Sequence, residues 1–424
     1  MIKGVKIRFE IHNILFSIYK LNKTLNNSSI EKKINKQKKE DVPFLYNVTL
    51  NSMRLNFHCL KIINKFIKKK LRDQEKILLI SAITQIVFLD FKDYAVINCS
   101  VEIAKKLKLY PGLINATLKK IAKDKNDLKQ IKINFSDLPL WFQNKAALLS
   151  NFEKNQFLEN FYQEPNIHIV FKDEKKLQKF EDKLFKTTRI SGFLLDEKKF
   201  QSRNSFVEGD WWVQDFSSFL PLYNFKEINK DKVFLDACAA PGGKSFQILS
   251  KKLNVVLNDK NKKRIQILKT NLKRLKLSAQ ILNKDFIQLN NNRKYDVIII
   301  DAPCSAVGTI RRNPEIFFKN KGPDFNELLS LQENMLKKAS FLLNTNGFII
   351  YMTCSFLETE TIYQVKKFLE LNNNFLISDI KLKENKKNYS KLIKNNFMIT
   401  IPNIIFDYNI DGYFAAFLKK IKFF

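Results

Sequence analysis

One stretch of this 424-residue sequence decides the fold: residues 236–245 read Asp-Ala-Cys-Ala-Ala-Pro-Gly-Gly-Lys-Ser. An apolar run precedes it and helical periodicity follows it, which predicts a turn from a strand into a helix. Gly242 and Gly243 allow a ligand to approach the backbone closely. The free amides at the start of the helix suit an anionic group, such as the carboxylate of an amino acid. An ordinary tight turn is the alternative, and the spacing matches neither a P-loop nor GxGxxG.

Short apolar runs that each end at a polar residue continue around this stretch. Residues 233–235 end at Asp236, 255–257 at Asn258-Asp259, 297–300 at Asp301, and 348–351 at Thr353-Cys354. Segments with helical periodicity, residues 263–275 and 326–343, lie between them. This alternation predicts an α/β fold with a parallel sheet that is buried on both faces. Ligands of such sheets bind at the carboxyl ends of the strands, where these polar residues lie.

Two acidic residues at predicted strand ends suit a nucleoside. Asp259 can accept hydrogen bonds from ribose hydroxyls, although it can equally cap the helix that follows. Asp285 follows the apolar segment 279–282 and is expected to meet an adenine amino group.

Two cysteines also lie at predicted strand ends, in Asp301-Ala302-Pro303-Cys304-Ser305 and in Thr353-Cys354-Ser355. A lone cysteine is often only a small buried apolar residue, but two in such positions favour chemistry. A thiolate that adds to carbon 6 of cytosine makes carbon 5 nucleophilic enough to accept a methyl group. Asp301 is placed to hydrogen-bond the ring as charge develops there.

The charge of the chain favours a polyanionic partner. Lys and Arg number 74 against 42 Asp and Glu, a net charge of +32, and RNA is the first partner to consider. Arg311 and Arg312 lie on a predicted loop beside the cysteine site, where they suit phosphate contacts. A solvated basic loop is the alternative, and AT-rich codon usage would also raise the Lys content.

The remaining composition narrows the class of protein. Five scattered cysteines without a CxxC pair, together with three histidines, indicate a reducing compartment and no metal site. No apolar run reaches eighteen residues, and the first residues do not read as a signal peptide. We therefore expect a cytoplasmic protein without a membrane partner, with a monomer as the default.

The chain before residue 206 has a different pattern. Residues 1–130 predict an all-α domain, in which residues 26–41 are a solvated loop or a frayed helix end and residues 113–118 open a helix. Residues 131–205 predict a small α+β connecting module, with strands at 166–171 and 192–195 and a helix at 174–185. Residues 206–424 form the predicted catalytic domain.

At these motifs the chain resembles the bacterial RNA cytosine-C5 methyltransferases. The resemblance rests on DACAAPGGKS, DAPCSAVGTIRRNPE and YMTCS in this order, and also covers residues 208–215 and 411–414. It is nearest to the subfamily that modifies small-subunit (16S) ribosomal RNA and carries an N-terminal domain similar to the NusB antitermination factor. Residues 1–130 match more loosely, mainly at 112–116.

The resemblance implies a class I methyltransferase fold, Rossmann-like, with a seven-stranded and mostly parallel sheet whose last strand is antiparallel. It implies Cys354 as the nucleophile and Cys304 as the residue that assists release from methylated RNA. It also implies an S-adenosylmethionine (SAM) cofactor, held by residues named here in chain order: Cys238, Ala239, Ala240, Pro241, Gly242, Gly243, Lys244, Asp259, Asp285 and Asp301.

Two departures from the family pattern stand out. Relatives usually have Arg-x-Asn where this chain has His168-Ile169-Val170, which leaves the RNA contacts of the connecting module open. A usual Thr-Gly pair reads Val307-Gly308.

Other classes fit less well. The Glu-Asn-Val motif of DNA cytosine-C5 methyltransferases and the Asp/Asn-Pro-Pro-aromatic loop of adenine amino-methyltransferases are not found. Transfer RNA as substrate and a non-catalytic ribosome-assembly protein that binds RNA remain the alternatives.

Overall fold

The computed structural model describes residues 3–196, 204–290, 293–384, 386, 389–405 and 408–422. The chain divides into two compact units. The first comprises residues 1–147, 161–163 and 310–323, and the second comprises residues 148–160, 164–309 and 324–424. Within the described ranges, no helix is both long and apolar enough to cross a bilayer.

The first unit is all-helical, as the apolar periodicity of residues 1–130 predicts. Its helices are α1 (Lys3–Leu21), α2 (Ser28–Asn35), α3 (Val42–Arg54), α4 (Asn56–Phe66), α5 (Asp73–Ile83), which continues as a π-helical turn (Thr84–Phe88), α6 (Asp93–Lys106), α7 (Pro111–Lys123), α8 (Lys125–Leu128) and α9 (Leu140–Lys145). The apolar stripe of α1, formed by Ile11, Ile14, Leu15 and Ile18, is fully buried in one continuous core.

The polar segment at residues 26–41 contains a helix, where the sequence predicts a loop or a frayed helix end. Asn27 caps α2 because its side-chain oxygen accepts the Ser29 amide hydrogen at 3.1 Å. Ile30 and Ile34, four residues apart, share one face of the helix and are buried. Two apolar residues and a cap are therefore enough to hold this Lys-rich segment against the core.

A distant piece of chain, residues 310–323, completes the first unit. Its short helix α16 (Glu315–Phe318) places Phe318 in the core of the helical unit. The Phe317 ring packs on the Phe142 ring with centroids 4.8 Å apart, and the Asn320 amide donates to the Tyr19 carbonyl at 3.1 Å. The helical unit is therefore built from segments that lie far apart in the sequence.

The second unit is built on a nine-stranded sheet. In chain order its strands are β5 (Val233–Asp236), β6 (Asn254–Asn258), β7 (Gln280–Leu282), β8 (Tyr295–Asp301), β9 (Leu343–Thr353), β10 (Phe375–Ser378), β11 (Ile393–Lys394), β12 (Phe397–Thr400) and β15 (Tyr413–Lys420). The order across the sheet is β11-β12-β15-β9-β8-β5-β6-β7, and β10 pairs with the far end of β15.

The sheet contains the seven-stranded arrangement that the family resemblance implies. Strands β7, β6, β5, β8 and β9 are parallel, and β15 is antiparallel to β9. β10, which pairs with residues 417–420 of β15, is the seventh strand. β12 pairs with residues 413–415 of β15 and β11 pairs with β12, so these two strands extend the sheet at the same edge. This is the class I methyltransferase fold, and the predicted strand ends Asp236, Asp301 and Thr353 are the last residues of β5, β8 and β9.

Helices cover both faces of this sheet, because its strands are apolar on both sides. They are α13 (Phe216–Asn224), α14 (Gly243–Leu249), α15 (Lys262–Arg274), α17 (Phe325–Leu342) and α18 (Ile362–Leu371). The two apolar cores that result contain alternate residues of the central strands, with Val297 and Ile299 in one and Ile298 and Ile300 in the other.

Residues 131–205, the predicted connecting module, include parts of both units. Residues 131–147 and 161–163 belong to the helical unit, whereas residues 148–160 and 164–205 belong to the second unit. There a four-stranded antiparallel sheet forms from β1 (His168–Phe171), β2 (Leu184–Thr188), β3 (Ser191–Leu194) and β4 (Trp211–Val213). Helices α10 (Asn151–Asn160), α11 (Glu174–Gln178) and α12 (Asn204–Val207), and a hairpin of β13 (Asn403–Ile405) and β14 (Tyr408–Ile410), complete this unit.

In the module, the structure shortens one predicted helix and buries the histidine at the family departure. The predicted helix at 174–185 ends at Gln178, and residues from Leu184 pair as β2. His168, at the position of the family departure, is fully buried. Its ring nitrogens lie 2.7 Å from the Gln214 carbonyl oxygen and 3.0 Å from the Thr187 hydroxyl. His168 therefore stabilises the small sheet and is not exposed to a partner.

Candidate active site

The predicted site residues converge because the parallel strands end in register. Asp236 of β5 lies beside Leu257 of β6 and Ile299 of β8, and Asp301 of β8 lies beside Met352 of β9. The segments that follow these strands therefore leave the sheet at one edge. This edge lies wholly within the second unit.

The Gly-rich loop after β5 is fixed between its two neighbouring strands. The Ala237 amide donates to the Ile299 carbonyl at 2.9 Å, and the Ala239 amide donates to the Asn258 carbonyl at 2.8 Å. Gly242 has a φ of 122°, and a Cβ there would lie 1.9 Å from the Phe246 ring. The position therefore requires glycine for both its backbone angle and its space. Pro241 is exposed and Cys238 is half-buried, and burial raises the pKa of the Cys238 thiol.

Asp236, the first residue of the loop motif, is 1% exposed. The Ser245 hydroxyl donates to its Oδ2 at 2.6 Å. Burial, which disfavours the ionised form, raises the pKa of Asp236 to about 6. The carboxylate therefore anchors the loop from beneath rather than facing solvent.

Asp259 is tied to the Gly-rich loop. Its carboxylate accepts the Asn261 amide at 2.8 Å and the Ala240 amide at 3.2 Å. Asn261, and not Asp259, caps the helix that follows, because the Asn261 side chain accepts hydrogen bonds from the first free amides of α15. Arg264 of the same helix lies 3.7 Å from the Asp259 carboxylate and donates to the Ala240 carbonyl. Sequence reasoning missed Arg264, since a lysine-rich helix offers no pattern that singles it out.

Asp285 follows β7 and is half-buried at the same edge. Its Oδ1 accepts the Ile287 amide at 3.0 Å, which turns the chain after the strand. Carboxylates thus lie at the ends of four neighbouring strands: Asp285 after β7, Asp259 after β6, Asp236 at the end of β5 and Asp301 at the end of β8.

Asp301 is held by two donors that its surroundings supply. Lys244 Nζ lies 2.7 Å from Oδ2, and the Tyr413 hydroxyl donates to Oδ1 at 2.8 Å. Lys244 also donates to the Ser218 hydroxyl at 3.2 Å. Burial and the Asp301 charge raise the pKa of Tyr413 well above its usual value, so the phenol keeps its proton and acts as the donor. Lys244 thus contacts Asp301 directly, and Tyr413 is a second residue that sequence reasoning did not identify.

Cys304 and Cys354 lie side by side, although fifty residues separate them in the sequence. Their Sγ atoms are 3.4 Å apart, and both are free thiols that are partly accessible. Two effects raise the pKa of Cys304 well above its usual value: the hydrogen bond with Cys354 is the larger, and burial is the second. Cys304 therefore keeps its proton, and either thiol of the pair can donate to the other.

A buried glutamate lies directly beneath the two cysteine loops. Glu360 is fully buried, at the end of a 3-10 turn (Glu358–Glu360). Its carboxylate accepts hydrogen bonds from Ser305 and from Ser355, the residues that follow the two cysteines. No spacing or charge pattern in the sequence distinguishes Glu360 from its neighbours, and sequence reasoning missed it.

The two arginines of the predicted RNA-binding pair differ in their surroundings. Arg311 is fully buried within the helical unit, and its carbonyl accepts a hydrogen bond from Arg54 Nε at 3.0 Å. A side chain that is fully buried offers no surface to an RNA phosphate. Arg312 is partly exposed.

A metal site and a separate cavity are the other features to consider among the described residues. Within the described part of the chain, no three His, Cys, Asp or Glu residues are grouped to hold a metal ion. A cavity of about 460 Å³ lies between α17, α18 and β10, and none of the residues described above lines it.

Comparison with known families matches both parts of the chain. Residues 224–419 match the family model "16S rRNA methyltransferase RsmB/F", and residues 6–123 match the NusB family. Among curated proteins, the chain is similar to the ribosomal RNA small subunit methyltransferase B of three bacteria. The match to Photorhabdus laumondii is 37% identical over 40% of each chain. That to Enterobacter sp. is 30% identical over 62% of this chain and 65% of the relative, and that to Vibrio vulnificus is 25% identical over 86% and 91%.

Solved structures share the fold. The crystal structure of PH0851 superposes with a TM-score of 0.69 at 20% identity and covers 99% of both chains. NSun6 from Pyrococcus horikoshii, whose structure was solved with SFG, gives a TM-score of 0.56 at 16% identity. It covers 66% of this chain and 97% of its own.

Proposed function

We propose that this chain, whose residues 224–419 match the RsmB/F family of 16S rRNA methyltransferases and whose residues 6–123 match the NusB family, is a SAM-dependent RNA methyltransferase that acts on carbon 5 of a cytosine in 16S rRNA. The observation that carries the proposal is the pair of thiols, Cys304 and Cys354, 3.4 Å apart at the ends of two neighbouring strands. Two such thiols suit a reaction in which one sulfur bonds to the base and the other assists its release.

The residues at the strand ends fit S-adenosylmethionine. Asp259 and Asp285 offer carboxylate oxygens to the ribose hydroxyls and the adenine amine, which are hydrogen-bond donors. The loop at residues 238–244 (Cys-Ala-Ala-Pro-Gly-Gly-Lys) would lie along the amino-acid part, and Asp301 would complete the set. When bound, the cofactor supplies an electrophilic methyl group on a sulfonium.

Cys354 is the nucleophile of the proposed reaction. Its sulfur bonds to carbon 6 of the cytosine, and the electrons of the C5–C6 double bond become available at carbon 5. Cys304 keeps its proton and donates to the Cys354 sulfur, which stabilises negative charge on the attacking atom. Once carbon 5 carries the methyl group, a water molecule takes the carbon 5 proton, the C5–C6 double bond re-forms and the Cys354 sulfur leaves as a thiolate. The adjacent Cys304 thiol then stabilises that leaving thiolate, which assists release.

Asp301 orients the base in this proposal. Addition at carbon 6 builds negative charge on the ring nitrogen, and a hydrogen bond to the exocyclic amine holds the ring while that charge develops. Lys244 and Tyr413 occupy the other hydrogen-bonding positions of the carboxylate, so its orientation is set before the base arrives.

The partner is RNA, and Arg312 is a proposed phosphate contact. The excess of basic over acidic residues favours association with a polyanion. We place the activity in the cytoplasm with the chain as a monomer. Transfer RNA is the alternative substrate, and the experiment below includes it.

The test is a covalent protein–RNA complex that survives a denaturing gel. Wild type, Cys304→Ala and Cys354→Ala are incubated with S-adenosylmethionine and unmodified 16S rRNA or tRNA. We expect a complex that accumulates with Cys304→Ala on 16S rRNA and does not form with Cys354→Ala. Cys99→Ala, which removes a free thiol of the helical unit, is the matched control and should behave as wild type.

Each other pattern has a distinct meaning. A complex with Cys354→Ala but not with Cys304→Ala would exchange the roles of the two cysteines. A complex on tRNA alone would change the substrate. If no variant forms a complex and wild type transfers no methyl group to either RNA, the proposed reaction is wrong.

A further inference from the structure

Glu360 connects the two cysteine loops through direct hydrogen bonds. On the Cys304 side, its Oε1 accepts the Ser305 amide at 2.7 Å, and its Oε2 accepts the Ser305 hydroxyl. On the Cys354 side, its Oε2 accepts the Ser355 hydroxyl at 2.7 Å. One carboxylate therefore bonds to the residue that follows each proposed catalytic thiol.

Further contacts extend this connection on both sides. Gln332 donates to Glu360 Oε1 at 3.3 Å and to the Pro303 carbonyl at 2.9 Å, so both neighbours of Cys304 are held. The Tyr351 hydroxyl, on the strand that leads to Cys354, donates to the Glu360 carbonyl at 2.8 Å. Every one of these groups is within the second unit.

The burial of Glu360 indicates how much this arrangement matters. Burying a carboxylate is costly unless several donors satisfy it, and here four donors from three residues converge on its two oxygens. The same charge disfavours a thiolate at Cys304. A negative charge in this place is unfavourable for activating a thiol, so its benefit must come from the geometry that it imposes.

We propose that Glu360 is the positioning residue of the cysteine pair: it fixes the loops of Cys304 and Cys354 against each other so that the Cys304 thiol stays in contact with the sulfur that attacks the base. This rests on the proposed covalent function. Glu360 itself does not touch the substrate. Its effect on the reaction passes through Ser305 and Ser355.

The first test is the rate of methyl transfer by Glu360→Gln. The amide keeps the shape of the side chain but replaces one acceptor by a donor, which opposes the serine hydroxyl. We expect kcat to fall roughly 10- to 100-fold, because small displacements of catalytic groups carry costs of that order. The KM for RNA and the affinity for S-adenosylmethionine should stay within about threefold. Glu358→Gln removes the same charge from a partly exposed position of the same turn and should retain wild-type rates.

A double-mutant cycle separates positioning from a general loss of structure. Ser355→Ala should lower kcat in the wild-type background and have little further effect once Glu360→Gln is present, because both remove the same link. Additive losses, or an unchanged kcat in a folded Glu360→Gln, would overturn the proposal. So would a fall in cofactor affinity equal to the fall in kcat.

A measurement without RNA keeps this test distinct from the proposed reaction. Diamide oxidises two adjacent thiols to a disulfide and is itself reduced to the hydrazine. Wild type should form the Cys304–Cys354 disulfide, seen by peptide mass mapping, at least tenfold faster than Glu360→Gln. Equal rates would overturn the positioning role. If wild type shows fast oxidation but no methyl transfer, the proposed reaction fails while the role of Glu360 in placing the thiols stands.

Discussion

Replacing Gly242 by alanine tests whether the Gly-rich loop has the geometry described. Gly242 has a φ of 122°, which costs a non-glycine residue about 1–3 kcal/mol. The added Cβ would also lie 1.9 Å from Phe246, whose ring is 2% exposed and packs edge-on against Trp212. That ring has no free space to enter, and relieving such overpacking costs about a further 1–3 kcal/mol.

The loop of Gly242→Ala should relax away from this geometry, and binding must then restore it at the cost just given. We therefore expect Gly242→Ala to weaken S-adenosylmethionine binding by more than tenfold, since every 1.4 kcal/mol is a factor of about ten in affinity. Titration calorimetry measures the affinity and a thermal melt measures stability. The double variant Gly242→Ala/Phe246→Leu separates the two costs, because leucine lacks the ring atoms that the Cβ would meet. Compared with Phe246→Leu alone, the double variant should lose only the free energy that the unfavourable backbone angle costs. Wild-type affinity and melting temperature in Gly242→Ala would refute this reasoning.

Three further substitutions give distinct outcomes. Burial raises the pKa of Asp236 from 3.8 to about 6. Between these pH values the folded state keeps a proton that the unfolded chain has released. The free energy of unfolding therefore falls as the pH rises from 3.8 to 6. Asp236→Asn should therefore gain up to about 3 kcal/mol over wild type between pH 4 and pH 7 in paired urea unfolding curves, and a constant difference would contradict this. His12 shows the opposite sign: burial lowers its pKa from 6.5 to about 4, so stability is lost as pH falls through that range, and His12→Phe should lose less on acidification in the same assay. Tyr413→Phe removes one donor from Asp301 and should lower kcat roughly tenfold with labelled S-adenosylmethionine, and an unchanged kcat would show that Lys244 alone orients the carboxylate.

The sheet and the thiol pair were predictable because both depend on local patterns. Each apolar run ended at a polar residue, and the parallel register then brought those ends together without any further information. The two cysteines could be placed on one edge by that rule alone, and the structure puts their sulfurs in contact.

The residues that sequence reasoning missed are those whose role depends on three-dimensional neighbours. Glu360 and Arg264 lie outside every motif, and Tyr413 lies in residues 411–414, which the resemblance covers without giving Tyr413 a role. The partners of these three residues are 5 to 112 residues away in the sequence. Arg311 shows the converse limit, because adjacent arginines in a loop suggest solvent and phosphate, yet Arg311 is enclosed. Helix α2 could have been recognised from its cap and two isoleucines, but the Lys-rich composition of the segment outweighed them.

The segment at residues 310–323 imposes an order on how the molecule is made. The helical unit's core includes Phe318, which is synthesised 173 residues after Lys145, the last residue of α9. During translation the N-terminal helices therefore remain incompletely packed while β5, β6, β7 and β8 of the catalytic sheet are synthesised. A nascent chain released before residue 323 would have a helical unit with part of its core uncovered, although every N-terminal helix is present. Domain truncations and fusions that cut between residues 147 and 310 would produce the same defect, so the two units cannot be separated by a single cut in the gene.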